Sequence, residues 1–103
     1  MGRKKKYPTC ADYERDRKLR DKYGISLEDY NAMYIEQGGS CWICKEPAPL
    51  AGRGRGGRLH VDHCHSTGKV RGLLCYACNG LLGMADDDVF ILERSIQYLR
   101  MGR

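Results

Sequence analysis

The chain has 103 residues, the size of one small domain, and a net charge of +5 at pH 7. One Phe and one Trp leave little aromatic core, so we expect a metal or a set of disulfides to staple the fold. No apolar run approaches the roughly 20 residues that span a bilayer, and the basic N-terminus is unlike a secretory signal. We therefore expect a cytoplasmic protein with no membrane partner, in which paired cysteines bind zinc more readily than they form disulfides.

The positive charge is concentrated in the first half of the chain. Residues 1–58 carry 13 Lys and Arg against 8 Asp and Glu, whereas residues 59–103 carry 5 of each. A basic half beside a neutral half indicates a polyanionic partner, nucleic acid first, although a solvated surface explains the same charge equally well. Residues 1–8 form a basic tail that we expect to be disordered.

Two helices are predicted before the first Cys-x-x-Cys pair. The first runs from Thr9 to about Tyr23, contains no Gly or Pro, and ends at Gly24. Ser26 opens the second with Asp29 as its capping-box partner, and a Gly-Gly pair ends it. The first helix has a cationic face, and the second has an apolar stripe that predicts core packing. The face comprises Arg15, Lys18 and Lys22, and the stripe comprises Leu27, Tyr30, Met33 and Tyr34.

A loop is predicted over residues 45–58, because this stretch contains two prolines and a Gly-rich run. Arg53, Arg55 and Arg58 lie in this run, and three arginines on a flexible loop can reach a nucleic-acid backbone. They are candidate DNA contacts, with a merely solvated insertion as the alternative.

Residues 59–79 hold an unusual density of metal-binding and titratable side chains. The pattern predicts a strand over 59–63, a tight turn at 66–69, a second strand over 70–74 and a short helix over 79–84. The first strand ends in Asp-His-Cys-His, and the second leads into Cys-x-x-Cys followed by Asn79.

A last helix is predicted after three consecutive aspartates, Asp86, Asp87 and Asp88, which are placed to cap its N-terminus. Its apolar residues recur at helical spacing, so we expect them in the core. They are Val89, Leu92, Ile96 and Leu99.

Cys41, Cys44, Cys75 and Cys78 form two Cys-x-x-Cys pairs, the pattern of a closed four-thiolate zinc site. The 30 residues between the pairs exceed the roughly 15–20 of an ordinary zinc ribbon, so the metal should clamp the base of an inserted hairpin. A closed site leaves no open coordination position, which makes this zinc structural. Disulfides are the weaker alternative, and Cys64 should point away from the neighbouring histidines.

Asp62, His63 and Asn79 supply the parts for phosphodiester hydrolysis. A carboxylate and an amide oxygen suit Mg²⁺, and a neutral histidine beside such an ion can deprotonate water near pH 7. Lys69 and Arg71 on the same hairpin could hold neighbouring phosphates. An alternative makes His63 a zinc ligand together with His65 and two cysteines, whereas His60 is expected to be core or surface.

These motifs carry a resemblance to the phage recombination endonuclease VII family, a branch of the HNH (His-Me finger) nucleases. The matching segments cover roughly residues 13–100 and read KYGISLEDYNAM, GGSCWIC, LHVDHCHSTGKVRGLLCYACN and ILERSIQYLR. The resemblance implies a small α+β fold with a ββα-metal finger and a four-cysteine zinc site, flanked by N-terminal and C-terminal helices. A single nuclease domain over residues 9–103 would have its catalytic core at about 59–84.

The same resemblance implies a role for each site residue. Relatives cut DNA, and the best-known members resolve branched DNA as dimers. The four cysteines would hold zinc, Asp62 and Asn79 would ligate Mg²⁺ or Mn²⁺, His63 would be the general base, and His65 would contact the phosphate.

We therefore hypothesise a DNA endonuclease that acts on duplex or branched DNA, in the host cytoplasm if the chain is encoded by a phage. The chain ends soon after the last helix and the loop before the hairpin is unusually basic; these are two departures from junction-resolving relatives, and neither touches the catalytic residues. The alternatives are a site-specific or nonspecific nicking HNH enzyme and a non-catalytic zinc module that binds DNA.

Overall fold

The computed structural model describes residues 10–52 and 56–102, with two strands between two pairs of helices. The basic tail, Arg53 and Arg55 lie outside the described residues. No helix in those ranges is long and apolar enough to cross a membrane. In chain order the elements are α1 (Cys10–Tyr23), α2 (Leu27–Glu36), β1 (His60–His63), β2 (Val70–Leu74), α3 (Tyr76–Met84) and α4 (Val89–Arg100).

The junction between α1 and α2 confirms the predicted boundary and capping box. Gly24 ends α1 at φ +72°, a left-handed conformation that favours glycine. The Ser26 hydroxyl accepts from the Asp29 backbone N–H, and the Asp29 carboxylate accepts from the Ser26 N–H, both at 3.0 Å. From α1, the buried Asp16 carboxylate accepts from Leu27 N–H at 2.7 Å, so a charged side chain of one helix satisfies the first turn of the next.

The two strands form an antiparallel hairpin with one irregularity, next to Asp62 and His63. His60 lies opposite Leu74, but the register shifts between Asp62 and His63, which pair with Gly72 and Val70. Arg71 is therefore the extra residue of a β-bulge, a device that bends the strand and re-aims its side chains. The predicted turn closes the hairpin, and Gly68 at φ +75° permits its tight return.

The core lies between α2, the hairpin and the start of α3. Tyr30 sits at its centre, 1% exposed, and its hydroxyl donates to the Leu59 carbonyl oxygen at 2.5 Å. Two of the predicted zinc ligands, Cys41 and Cys78, belong to the same buried cluster. The core and the cysteine site are therefore one continuous packing unit, and the remaining buried members are Leu59, Val61, Leu73 and Leu74.

Helix α3 begins at Tyr76, three residues before the predicted start. Cys75 is its N-cap, and the Cys75 Sγ accepts from Cys78 N–H at 3.4 Å. A thiol is not one of the common capping side chains, so the sequence pattern hid this helix start.

The prediction that α4 contributes to the core is wrong for the described structure. Val89, Ile96 and Leu99 are 60%, 48% and 77% exposed, and only Leu92 of the four predicted positions is half-buried. Asp86 and Asp87 adopt left-handed backbone conformations that separate α3 from α4, while Asp88 alone caps the helix. The periodicity correctly identified an apolar helix face, but periodicity does not determine what covers such a face.

We predict that Asp16→Ala lowers the free energy of unfolding by about 1–3 kcal/mol, because the Leu27 N–H and the Arg20 guanidinium lose a buried acceptor. Asp21→Ala is the control, since Asp21 meets Arg17 only at the surface, at 3.9 Å, and should change stability by less than about 0.5 kcal/mol. Urea titration of zinc-loaded protein measures both. Equal losses would contradict the buried role of Asp16.

Candidate active site and cysteine cluster

The four predicted cysteine ligands converge at one place. Their sulfur atoms all lie within 4.8 Å of one another, and the Cys44 and Cys75 Sγ atoms are 3.8 Å apart. Tetrahedral coordination with metal–sulfur bonds of about 2.3 Å requires sulfur–sulfur edges of about 3.8 Å. The cluster therefore fits a closed four-thiolate metal site, formed by Cys41, Cys44, Cys75 and Cys78.

Backbone hydrogen bonds attach the first cysteine pair to the hairpin. Trp42 N–H donates to the Leu73 carbonyl at 3.2 Å, and Cys41 N–H donates to the Glu46 carbonyl at 3.0 Å. The Gln37 side chain makes the same connection from α2, since its amide nitrogen donates to Leu73 O and its amide oxygen accepts from Leu73 N–H. These hydrogen bonds thus hold the cysteine pair in register with β2.

The thiols of the cluster differ in their electrostatics. Burial raises the pKa of Cys41, but backbone N–H groups of the two cysteine pairs outweigh it and lower the pKa to about 6. Burial, followed by hydrogen bonding with the neighbouring cysteines, raises the pKa of Cys78 to about 12. The environment thus favours the thiolate form of Cys41 and disfavours that of Cys78. A bound cation is therefore needed for all four sulfurs to be deprotonated together.

Cys64 lies just after β1 and stays outside the cluster, while its predicted orientation away from the histidines stays a prediction. It is half-buried, and hydrogen bonds to Thr67 lower its pKa. In the ranges that the structure describes, the only cluster of metal-type side chains is the four-cysteine one. The alternative in which His63 and His65 join two cysteines around zinc is therefore not supported.

The β-bulge brings Arg71 onto the Asp62 carboxylate. Arg71 Nε donates to Asp62 Oδ2 at 2.7 Å and Nη2 donates to Oδ1 at 2.9 Å, a bidentate pair. Arg71 Nη2 also reaches Asp87 Oδ1 at 3.4 Å. Hydrogen bonding to Asp62 raises the pKa of Arg71, and the Asp62 side chain is only 11% exposed. Arg71 thus binds a carboxylate in this structure, whereas the sequence predicted a phosphate contact.

His63 and His65 lie side by side at the end of β1. Their ring centroids are 4.9 Å apart, and the Tyr23 ring of α1 lies 5.4 Å from His63. The His65 Nε2 is 3.8 Å from Asp87 Oδ2, so Asp87 joins the histidine pair to Arg71. The sequence interpretation missed Tyr23 and Asp87 as site residues, because Tyr23 was only the predicted end of the first helix and Asp87 was assigned to capping.

Asn79 lies in the first half of α3, which packs against both strands, and its side chain is half-buried. Its backbone N–H donates to the Cys75 carbonyl at 2.9 Å, so the cysteine site fixes its position on the helix. The oxygen donors of Asp62 and Asn79 suit a hard divalent ion, which would compete with Arg71 for the carboxylate. The role of Asn79 as a ligand stays a prediction.

The remaining predicted site residues are dispersed. Lys69 is exposed in the hairpin turn, and Arg58 Nη1 donates to the Gly52 carbonyl at 2.8 Å beside a groove along α1. His60 is half-buried near the Tyr76 ring, at 6.1 Å between centroids, and its Nε2 has no hydrogen-bond partner among the described residues. These residues surround the hairpin and do not form one cluster.

Comparison with known proteins agrees with this geometry. The chain is 43% identical to the gene 59 protein of Mycobacterium phage D29 and 39% identical to that of Mycobacterium phage L5, over 97% and 96% of its length. It spans 66% of the length of each relative. The ββα-Me type II restriction endonuclease Hpy99I has a similar solved structure, with a TM-score of 0.54 and 28% identity over 84% of this chain and 48% of that enzyme.

The family resemblance seen in the motifs is confirmed over most of the chain. The sequence profile described as recombination endonuclease VII matches residues 16–101, which include both cysteine pairs, the hairpin and the last helix. The fold is a small α+β arrangement with a ββα-metal finger. The chain belongs to the recombination endonuclease VII family.

Proposed function

We propose that this protein is a metal-dependent endonuclease that hydrolyses phosphodiester bonds in DNA. The observation that supports it best is the cluster at the bulge. Arg71 binds the Asp62 carboxylate, and the Asp87 carboxylate lies 3.4 Å from Arg71 and 3.8 Å from His65. The His63 and His65 ring centroids are 4.9 Å apart. Binding DNA requires cations but no such cluster of acid and imidazole groups.

In the proposed mechanism His63 is the general base and takes a proton from the attacking water. Tyr23 and His65 restrict the orientation of its ring from two sides. His65, whose side chain is 72% exposed, is placed to contact the scissile phosphate, while Lys69 holds a neighbouring phosphate from the turn. The products are 5′-phosphate and 3′-hydroxyl ends.

We propose that Asp62 and Asn79 hold the catalytic ion, Mg²⁺ or Mn²⁺. When bound, such an ion stabilises the charge that develops on the phosphate and on the leaving oxygen. Arg71 binds the Asp62 carboxylate, so a divalent ion would compete with Arg71 for this nearly buried charge. An Arg71 guanidinium that has left Asp62 can bind a phosphate through two parallel hydrogen bonds. This is the phosphate contact that the sequence predicted for Arg71.

We propose zinc as the metal of the four-cysteine cluster, because thiolate ligands in a tetrahedral arrangement favour it. Its role is structural, since four protein ligands leave no position for water. Duplex and branched DNA are both proposed substrates, and the homodimer and the host-cytoplasmic location also stay proposals.

We predict that His63→Ala abolishes nicking of supercoiled plasmid in Mg²⁺, by 100-fold or more in rate, because the general base is lost. The zinc content and the melting temperature should stay unchanged, since His63 is outside the cysteine cluster. Gln97→Ala on α4 is the control and should cleave normally. A folded His63→Ala protein with full activity would refute the assignment.

The same assay separates the alternatives. A wild-type protein that binds DNA without cutting it in Mg²⁺ or Mn²⁺ would support the non-catalytic zinc module. Equal cleavage of a four-way junction and a matched linear duplex would favour a nicking enzyme over a junction-resolving one.

We predict that Arg71→Gln increases the affinity of zinc-loaded protein for Mn²⁺ several-fold, because a competing cation leaves the Asp62 carboxylate. DNA cleavage should nevertheless fall, since a phosphate-binding group is lost. Lys69→Gln removes the same charge from the exposed turn without touching Asp62, so it should leave Mn²⁺ affinity unchanged. Calorimetry without DNA measures the binding. Unchanged or weaker Mn²⁺ binding in Arg71→Gln would contradict the competition.

We predict one zinc ion per chain, and unfolding when it is removed. Cys44→Ser should lose the ion and most of the cooperative melting transition, because a small core depends on the bound metal. Cys64→Ser is the matched control and should keep both. Elemental analysis and thermal melting test this, and a metal-free Cys44→Ser protein with wild-type stability would contradict a structural role.

A further inference from the structure

A groove of about 700 Å³ lies between α1, the loop before the hairpin, and β1. It is outside the cluster of Asp62, His63 and His65, and none of its α1 residues was predicted to bind a ligand. Most of its charged lining residues are cations, and Glu14 is the one carboxylate among the described residues that line it. The cations are Arg15, Lys18, Lys22 and Arg58.

Arg15 is held in this groove without a full set of partners. Its guanidinium lies over the Tyr30 ring, 5.2 Å from the centroid, and its Nη2 is buried with no hydrogen-bond partner among the described residues. Burial, followed by repulsion from Arg58, lowers the pKa of Arg15. A buried donor that faces a second cation is satisfied by an anion.

The groove leads to the candidate active site. Arg15, Lys18 and Lys22 recur on one face of α1 over about 10 Å, a length along which one strand of duplex DNA presents about three phosphates. Lys22 Nζ lies 5.3 Å from the centroid of the Tyr23 ring, and that ring is the one that contacts His63.

We propose that this groove binds the sugar-phosphate backbone of one DNA strand beside the bond to be cut. Arg15 and Arg58 hold one phosphate together, and the two lysines of α1 guide the strand towards His63. The proposal rests on the endonuclease function for its ligand, but it assigns a binding surface that the catalytic cluster does not contain. Phosphate contacts of this kind position the strand and carry no sequence preference.

The test compares two double variants with the same loss of charge. Lys18→Gln with Lys22→Gln removes two groove cations, whereas Arg17→Gln with Arg94→Gln removes two that do not line the groove. Binding of a fluorescent duplex is measured by anisotropy over a range of salt, in a His63→Ala background without added Mg²⁺. Each phosphate contact contributes about 0.9 to the slope of log affinity against log salt.

We expect the groove variant to reduce that slope by about 1.8 and to bind at least 10-fold more weakly in low salt. The control pair should change the slope by less than half as much. Glu14→Gln should tighten binding, whereas Glu93→Gln on α4 should not. Equal effects of the two double variants, or a parent that does not bind the duplex, would overturn the proposal.

Failure of the enzymatic proposal is distinguishable from failure of the groove. If the wild-type protein cuts no DNA but its DNA binding depends on Lys18 and Lys22, the groove proposal is supported and the nuclease proposal is refuted. If the protein still cuts DNA with full efficiency after both lysines are replaced, the groove proposal is refuted and the nuclease proposal is supported. Melting temperature and zinc content of every variant confirm that the fold is retained.

Discussion

The rest of the structure depends on the convergence of four cysteines from two segments that are 30 residues apart. Cys41 and Cys78 are both buried, and they complete a core that otherwise contains few large side chains. An ion bound there would cross-link the two cysteine pairs at the ends of the 30-residue connection. It would thereby stabilise the fold by lowering the conformational entropy of the unfolded chain. Because Cys75 also caps α3, the same cluster fixes the helix that carries Asn79.

The second constraint is the one-residue irregularity in the hairpin. In a regular antiparallel pair, the side chains of β2 would alternate between the two faces of the sheet. The bulge instead inserts Arg71 as an extra residue in β2 and bends the strand next to Asp62 and His63. The result is a bidentate ion pair around a carboxylate that is nearly buried. A buried charge needs such a partner, and any cation that approaches the Asp62 carboxylate must compete with Arg71 for it.

Features encoded by adjacent residues could be predicted from the sequence, and features that depend on distant packing could not. The Ser26 capping box, the strands on either side of Gly68 and the spacing of the cysteine pairs are all local patterns. The position of Asp87 depends on two consecutive left-handed residues, which side-chain chemistry does not encode strongly outside glycine and asparagine. The exposure of α4 also depends on distant parts of the chain, because an amphipathic pattern identifies the apolar face of a helix but not the element that covers it.

Charge is distributed differently beside the sheet and along the groove. Beside the sheet, the carboxylates of Asp62 and Asp87 pair with Arg71 and offset its charge. In the groove beside α1, Glu14 is the one carboxylate among the described lining residues, and the Arg15 guanidinium lacks a hydrogen-bond acceptor for one of its nitrogens in the described structure. In the proposed function, the groove cations would attract the phosphate backbone and the Asp62 carboxylate would attract the divalent ion, so the strand and the ion would bind at different surfaces. Tyr23 connects them, because its ring belongs to the groove and also contacts His63.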